Sequence, residues 1–163
     1  MKPFIQLDHV SYTYPGRDQP ALDDLNLTLM EGECVALVGA NGSGKTTLAR
    51  HLNALLIPTA GRVMVAGKST SDHAYRDAIH TMVGMVFQNP ADQVVTTIVE
   101  EDVAFGPENL GLPPAEIRTR VDEALEAVGL SKLRTRPPHF LSAGQIQRLA
   151  LAGVLAMRPR CVV

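Results

Sequence analysis

Gly39-Ala-Asn-Gly-Ser-Gly-Lys-Thr46 decides the fold. It follows the apolar run Cys34-Val-Ala-Leu-Val38 and precedes the helical spacing Leu48, Leu52, Leu55, Leu56, which gives a strand, a loop and a helix in that order. Small residues in such a loop let main-chain N–H groups close around an anion, and the helix that follows aims its positive end, roughly half a charge, at the same place. This is the Walker A phosphate loop, and Gly39, Asn41, Gly42, Ser43 and Gly44 are its expected cradle. Lys45 is placed to neutralise β and γ phosphates, and Thr46 to offer a hydroxyl to Mg2+, an ion that keeps most of its waters. With glycine near 7% of residues, the bare pattern arises by chance in roughly one chain of this size per hundred or more. A glycine-rich turn is therefore the weaker reading, and ATP with Mg2+ is the expected ligand.

Composition narrows the field. The 163 residues are 45% apolar, enough for one domain with its own core, and the chain should be α/β. Fifteen basic residues against 17 acidic ones leave a net charge of −2, without the basic field that nucleic acid requires, so no nucleic-acid partner is expected. The cluster Lys132, Arg134, Arg136 reads as a solvated loop. No apolar run reaches the ~18 residues of a membrane span and no secretion leader is visible, so a cytosolic chain is expected. Cys34 and Cys161 sit in apolar, strand-like runs and read as small hydrophobes, and the five histidines lack metal-ligand spacing.

The pattern before the loop alternates apolar and polar residues over Phe4–Tyr14 and Leu22–Leu29, two antiparallel strands joined through Pro15-Gly16-Arg17-Asp18. After it, Pro58 is expected to stop the helix, Gly61–Val65 to form a strand, and Val83–Phe87 to form a buried strand ending at Gln88-Asn89-Pro90. Ile117, Val121, Leu125 and Val128 share one helical face with Gly129 as its stop. Ser142-Ala-Gly-Gln145 is a capping box opening a helix whose stripe is Ile146, Leu149, Ala150, Gly153, Val154 and Met157, ended by Arg158-Pro159. The divisions expected are 1–88 for a β subdomain and loop core, 89–140 for a helical subdomain, and 141–163 for the last helix and the start of a strand.

Leu141-Ser142-Ala143-Gly144-Gln145 lies about a hundred residues after the phosphate loop and resembles the signature motif of ATP-binding cassette (ABC) proteins, usually Leu-Ser-Gly-Gly-Gln. Taken alone it is equally an ordinary helix cap. Tyr12-Thr-Tyr14-Pro-Gly, Val83-Gly-Met-Val-Phe-Gln-Asn-Pro90, Glu101-Asp-Val-Ala-Phe-Gly-Pro107 and Gln147-Arg-Leu-Ala-Leu-Ala-Gly-Val-Leu-Ala156 make the chain similar to the ATPase subunits of energy-coupling-factor (ECF) and cobalt-type importers over essentially its whole length. The resemblance implies a P-loop NTPase cassette: a RecA-like core, an N-terminal antiparallel β subdomain and a helical subdomain. It also implies that Tyr14, with Tyr12 as the alternate, stacks on adenine, that Thr47 lies near the α phosphate, and that Gln88 meets Mg2+ and the attacking water. Catalytic roles then fall to Lys45 and Gln88.

The same resemblance implies a head-to-tail pair of cassettes, identical or paralogous, in which Ser142, Gly144 and Gln145 of one chain contact the γ phosphate held by the other. Ala143 replaces the usual glycine, and its methyl is expected to weaken closure while sparing nucleotide binding; unchanged ATP-dependent dimerisation in Ala143→Gly would oppose that. Relatives receive a membrane subunit around Val94, Val95, Ile98, Val99, Val103 and Phe105, with Glu100, Glu101 and Asp102 between them, although the pattern alone reads as helical core with a solvated acidic face. Relatives also continue beyond the position of Val163 into the Walker B aspartate, the catalytic glutamate and a switch histidine. A C-terminally incomplete cassette with poor turnover is thus expected, since water activation contributes typically ~10²–10⁴ in rate. The function expected is the ATP-hydrolysing motor of an importer of vitamins or transition-metal ions, peripheral on the cytoplasmic face of the membrane, with a transmembrane coupling subunit and a substrate-binding membrane subunit. The alternatives are a non-catalytic ATP-binding fragment of such a motor and a non-transport cassette.

Overall fold

The computed structural model describes residues 2–163 and divides into two compact units, one ending at Val83 and the other covering Gly84–Val163. In the first, β1 (Pro3–Tyr12), β2 (Leu22–Met30), β3 (Ala60–Val65) and β4 (Lys68–Ser69) form an antiparallel sheet of order β2-β1-β3-β4. Alternation buries Ile5, Leu7, Val10 and Tyr12 of β1 with Val63 and Val65 of β3. The hairpin after β1 turns at Tyr14-Pro-Gly-Arg17, where the Arg17 N–H donates to the Tyr14 carbonyl at 3.1 Å. Helix α1 (Lys45–Leu52) buries Thr47, Leu48, His51 and Leu52 along one face beside β3. It stops before Pro58 is reached: Asn53 caps it and Ala54 takes φ 62°, a left-handed turn that ends the helix within the apolar run.

The run before the phosphate loop is not a strand. Residues 33–40 carry no regular structure, and Val35, Leu37 and Val38 are 55%, 50% and 85% exposed. β-propensity cannot form a strand without a neighbour to take its N–H and C=O groups, and none lies beside this run among the described residues. Cys34 is correspondingly exposed, which corrects its reading as a packed hydrophobe. The unit closes with α2 (Arg76–Met82) running into β5 (Val83–Gly84).

The second unit is a helical cluster. α3 (Val99–Asn109), α4 (Pro114–Ala127) and α5 (Ala143–Ala156) pack Val99, Val103, Val121, Leu125, Val128, Leu149 and Ala152 into one core. α4 ends as expected at Gly129, whose φ of +68° permits the reversal in which Gly129 N–H bonds the Glu126 carbonyl and Leu130 N–H bonds the Leu125 carbonyl. α5 starts on the expected capping box, with Ser142 Oγ accepting from Gln145 N–H at 3.3 Å and Gln145 Oε1 accepting from Ser142 N–H at 2.8 Å. β6 (Cys161–Val162) pairs with β5: Val163 donates to the Gly84 carbonyl and accepts from Val86 N–H, the offset pattern of parallel neighbours. Past Gly84 the expected strand loosens, and Phe87 is exposed.

Two charged features depart from the sequence reading. Asp102 is not part of a solvated acidic face but is buried, its carboxylate accepting the N–H groups of Val95 and Thr96 at 2.8 and 3.0 Å and so capping the segment that leads into α3. Arg134 is not a free loop cation either, since it pairs with Glu100 at 2.7 Å and Asp122 at 2.9 Å, which holds its guanidinium above the ordinary value.

Candidate functional site

The phosphate loop is built from backbone conformation. Gly44, immediately before α1, has φ +86°, and a Cβ there would stand 2.6 Å from the Ala21 carbonyl oxygen, so no other residue fits without displacing the β2 entry. A Cβ at Gly39 would meet Ser43 Oγ at 2.7 Å, so a side chain there would turn the Ser43 hydroxyl away from its place in the loop. The Ser43 N–H closes a turn on the Ala40 carbonyl, and the Leu48 N–H makes the first helical bond to the Gly44 carbonyl. The amides of Lys45, Thr46 and Thr47 therefore have no partner inside the helix. The first turn of α1 holds no acidic residue, so nothing local offsets the positive end of the helix.

Lys45 Nζ donates to the carbonyls of Gly39 at 2.8 Å and Ala40 at 2.7 Å, which holds the ammonium across the loop and leaves one of its three protons for an anion. Thr46 is exposed at the helix start, while Thr47 is buried. Tyr12 and Tyr14 take different roles. Tyr12 is buried, its ring edge-on to His51 at 4.8 Å and to Tyr14 at 4.9 Å, whereas the half-buried Tyr14 reaches Thr47 Oγ1 through its hydroxyl at 3.1 Å. Tyr14 thus presents an aromatic ring next to the phosphate loop. His51 was not singled out by its sequence position, yet it is fully buried, with Nδ1 on the Thr47 carbonyl at 2.7 Å. Burial pushes its pKa down, against the smaller opposing effect of that bond, so it is neutral and donates from Nδ1.

The remaining expected residues lie in the second unit. Gln88 is exposed just past β5, and Ser142, Gly144 and Gln145 form the start of α5 on a separate segment. A Cβ at Gly144 would meet nothing within 4 Å. A glycine in a first helical turn costs up to ~1 kcal/mol relative to alanine, and the chain's own packing gives no reason for it. Close approach of an outside group to that backbone is a sufficient reason. Sequence reasoning passed over Gln93 and read Asp102 as part of a solvated acidic face; the side chains of both bond irregular backbone at positions that no periodicity marks.

The loop fits a nucleotide: it offers unpaired amides, an ammonium and a helix end, with no carboxylate in the helix's first turn to repel phosphate. For Mg2+ the donors fit only in company. Among the described residues no group of three or more His, Cys, Asp or Glu side chains could hold a metal, so phosphate oxygens and water would have to supply most of the ligands of such an ion, with the exposed Thr46 hydroxyl as a further oxygen.

Comparison with known proteins follows the same lines. A model of the ABC transporter family matches residues 22–163. The chain is 59% identical over 169 aligned positions to the energy-coupling factor transporter ATP-binding protein EcfA1 of Symbiobacterium thermophilum, and 54% identical over 159 to EcfA of Methanosarcina acetivorans. It covers 99% and 98% of itself in those alignments, but 58% of either relative. Among solved structures it resembles cbiO1 of Clostridium perfringens, described as part of the ABC transporter complex cbiONQ, with TM-score 0.89 and 36% identity over 99% of this chain and 64% of that one. It also resembles the ATP-binding cassette MJ0796, a dimer bound to ADP and Pi in a post-hydrolysis state, with TM-score 0.85 and 30% identity over 97% of this chain and 72% of that one. With the phosphate loop, the antiparallel sheet and the capped α5 falling inside these matches, the chain belongs to the ABC transporter family as an ATP-binding cassette.

Proposed function

We propose that this chain is the nucleotide-binding part of the ATPase subunit that powers an ECF-type importer of vitamins or transition-metal ions, working at the cytoplasmic face of the membrane as a peripheral subunit. The observation that carries the reading is the geometry around Gly44 and Lys45, which assembles free amides, a positive helix end and an ammonium at one anion site. In this reading Gly39, Asn41, Gly42, Ser43, Gly44 and Lys45 hold the phosphates of ATP. Thr46 and Gln88 serve Mg2+, Thr47 meets the α phosphate, and Tyr14 stacks on the base. Residues 1–88, 89–140 and 141–163 act as loop core, helical subdomain and signature segment.

Ser142, Gly144 and Gln145 then serve the nucleotide of a second cassette, which the open backbone at Gly144 supports. The identity to ECF ATP-binding proteins supports a transmembrane coupling subunit and a substrate-binding membrane subunit as further partners, and among the described residues no helix is long and apolar enough to cross a membrane. Hydrolysis is expected of the whole subunit. The test is reconstitution of the chain, and in parallel the Symbiobacterium relative, with an ECF membrane complex stripped of its own ATPases. ATP-dependent association of both is the expected result, with hydrolysis in the relative; an absence of association for this chain while the relative binds would contradict the assignment.

A further inference from the structure

Gln93 holds two backbone groups of the segment that delivers Gln88. Its Oε1 accepts the Phe87 N–H at 2.7 Å and its Nε2 donates to the Met85 carbonyl at 3.2 Å. In an extended segment the N–H of one residue and the C=O two before it face the same edge, while the residue between faces the other way. Val86 does so, giving its N–H to the Val163 carbonyl at 2.8 Å. One edge of residues 85–87 is therefore paired to backbone and the other to a single side-chain amide standing in for a strand. An amide suits this position because it carries a donor and an acceptor on one planar group whatever the pH.

The clamp closes a small ring. From Phe87 the chain runs through exposed Gln88 and Asn89 into the turn Pro90–Gln93, where the Asp92 N–H bonds the Asn89 carbonyl and the Val94 N–H bonds the Ala91 carbonyl. One residue past Val94, the carboxylate of Asp102 takes over, holding Val95 and Thr96 onto α3. Gln88 thus sits in a short loop whose two ends are tied together by Gln93.

We propose that Gln93 is a positioning residue for Gln88: its amide fixes the backbone at Met85 and Phe87 and so sets where the Gln88 side chain stands. This rests on the assignment of Gln88 to Mg2+ made above. The consequence is specific to the metal, because both hydrogen bonds of the Gln93 side chain go to the segment that carries Gln88.

The experiment is calorimetric titration of the full chain with ATP, once in excess Mg2+ and once in EDTA. Wild type should bind more tightly with the metal. Gln88→Ala and Gln93→Leu should each cut that enhancement by about three- to tenfold, the double variant by no more than either single one, and metal-free affinity should stay within about twofold. Gln93→Glu keeps the acceptor for the Phe87 N–H but cannot donate to Met85, and should fall between. Hydrogen exchange at Phe87 should quicken in Gln93→Leu while α5 amides exchange as in wild type; if that variant does not fold, Gln93→Glu carries the test. Full enhancement in Gln93→Leu, an additive double variant, or equal loss with and without metal would overturn the proposal. Full enhancement in Gln88→Ala would instead remove the assignment of Gln88 itself.

Discussion

Gly44 is the residue on which the loop depends, since its left-handed φ and the nearby Ala21 carbonyl both exclude a side chain. Gly44→Ala should cost about 1–3 kcal/mol of backbone strain and displace the amides of Lys45 and Thr46. We expect a lowered melting temperature together with at least tenfold weaker ATP binding, read by calorimetry and thermal denaturation; wild-type affinity would mean the amides do not bind phosphate. That glycine was legible in the sequence because the eight-residue pattern fixes which position precedes the helix. Tyr14 was legible only as one of two candidates: alternation shows that Tyr12 and Tyr14 share a sheet face, but not that the strand ends at Tyr12, which leaves Tyr12 in the core and Tyr14 at the edge. Gln93 was not legible at all, because a side chain replacing a missing strand partner has no period.

The capped helices are the elements that the sequence describes best. Gly129 and the Ser142–Gln145 box are local rules satisfied within a few residues, so they can be recognised before any packing is known. The segment before α3 shows the opposite. Glu100, Glu101 and Asp102 are consecutive acids, yet Glu100 pairs with Arg134, Asp102 is buried under Val95 and Thr96, and Glu101 is exposed. Asp102→Ala leaves two amides without their acceptor and should cost about 2 kcal/mol, a fall of roughly 4–8 °C in melting temperature. Glu101→Lys, a surface change, should stay within about 0.5 kcal/mol and is the cleaner probe of membrane-subunit docking. Equal melting of the two variants would show that the Asp102 cap contributes nothing. The run at residues 33–40 teaches the same lesson: its composition favours a strand, but a strand is a property of a pair.

For the molecule as a whole, two histidines give stability opposite dependences on pH. His9 is held above its ordinary value of 6.5 by its hydrogen bond to Asp24 and by the charges of Asp24 and Asp8, so its contribution is complete below 6.5 and is lost as pH rises through the raised value. His51 is held below 6.5 by burial, so its contribution is complete above 6.5 and is lost as pH falls toward the lowered value. Denaturation of wild type and His9→Asn between about pH 5 and 8 should therefore converge at the alkaline end and separate at the acid end, with both losing stability on acidification through His51. Separation at the alkaline end instead would reverse the sign assigned to His9. The family and the phosphate loop were legible from residues 39–46 and 141–145, whereas the buried imidazole beside the loop emerges only once α1 is packed against the sheet. The central claim is that peptide amides and Lys45 together grip the terminal phosphates of a nucleotide. Calorimetric titration with magnesium ATP tests it most directly: the chain should show saturable binding with one site, and Lys45→Ala should weaken it by about ten- to a hundredfold, the equivalent of charge-assisted bonds worth ~1.5–3 kcal/mol. An unchanged isotherm for Lys45→Ala, with both proteins folded, would contradict the account.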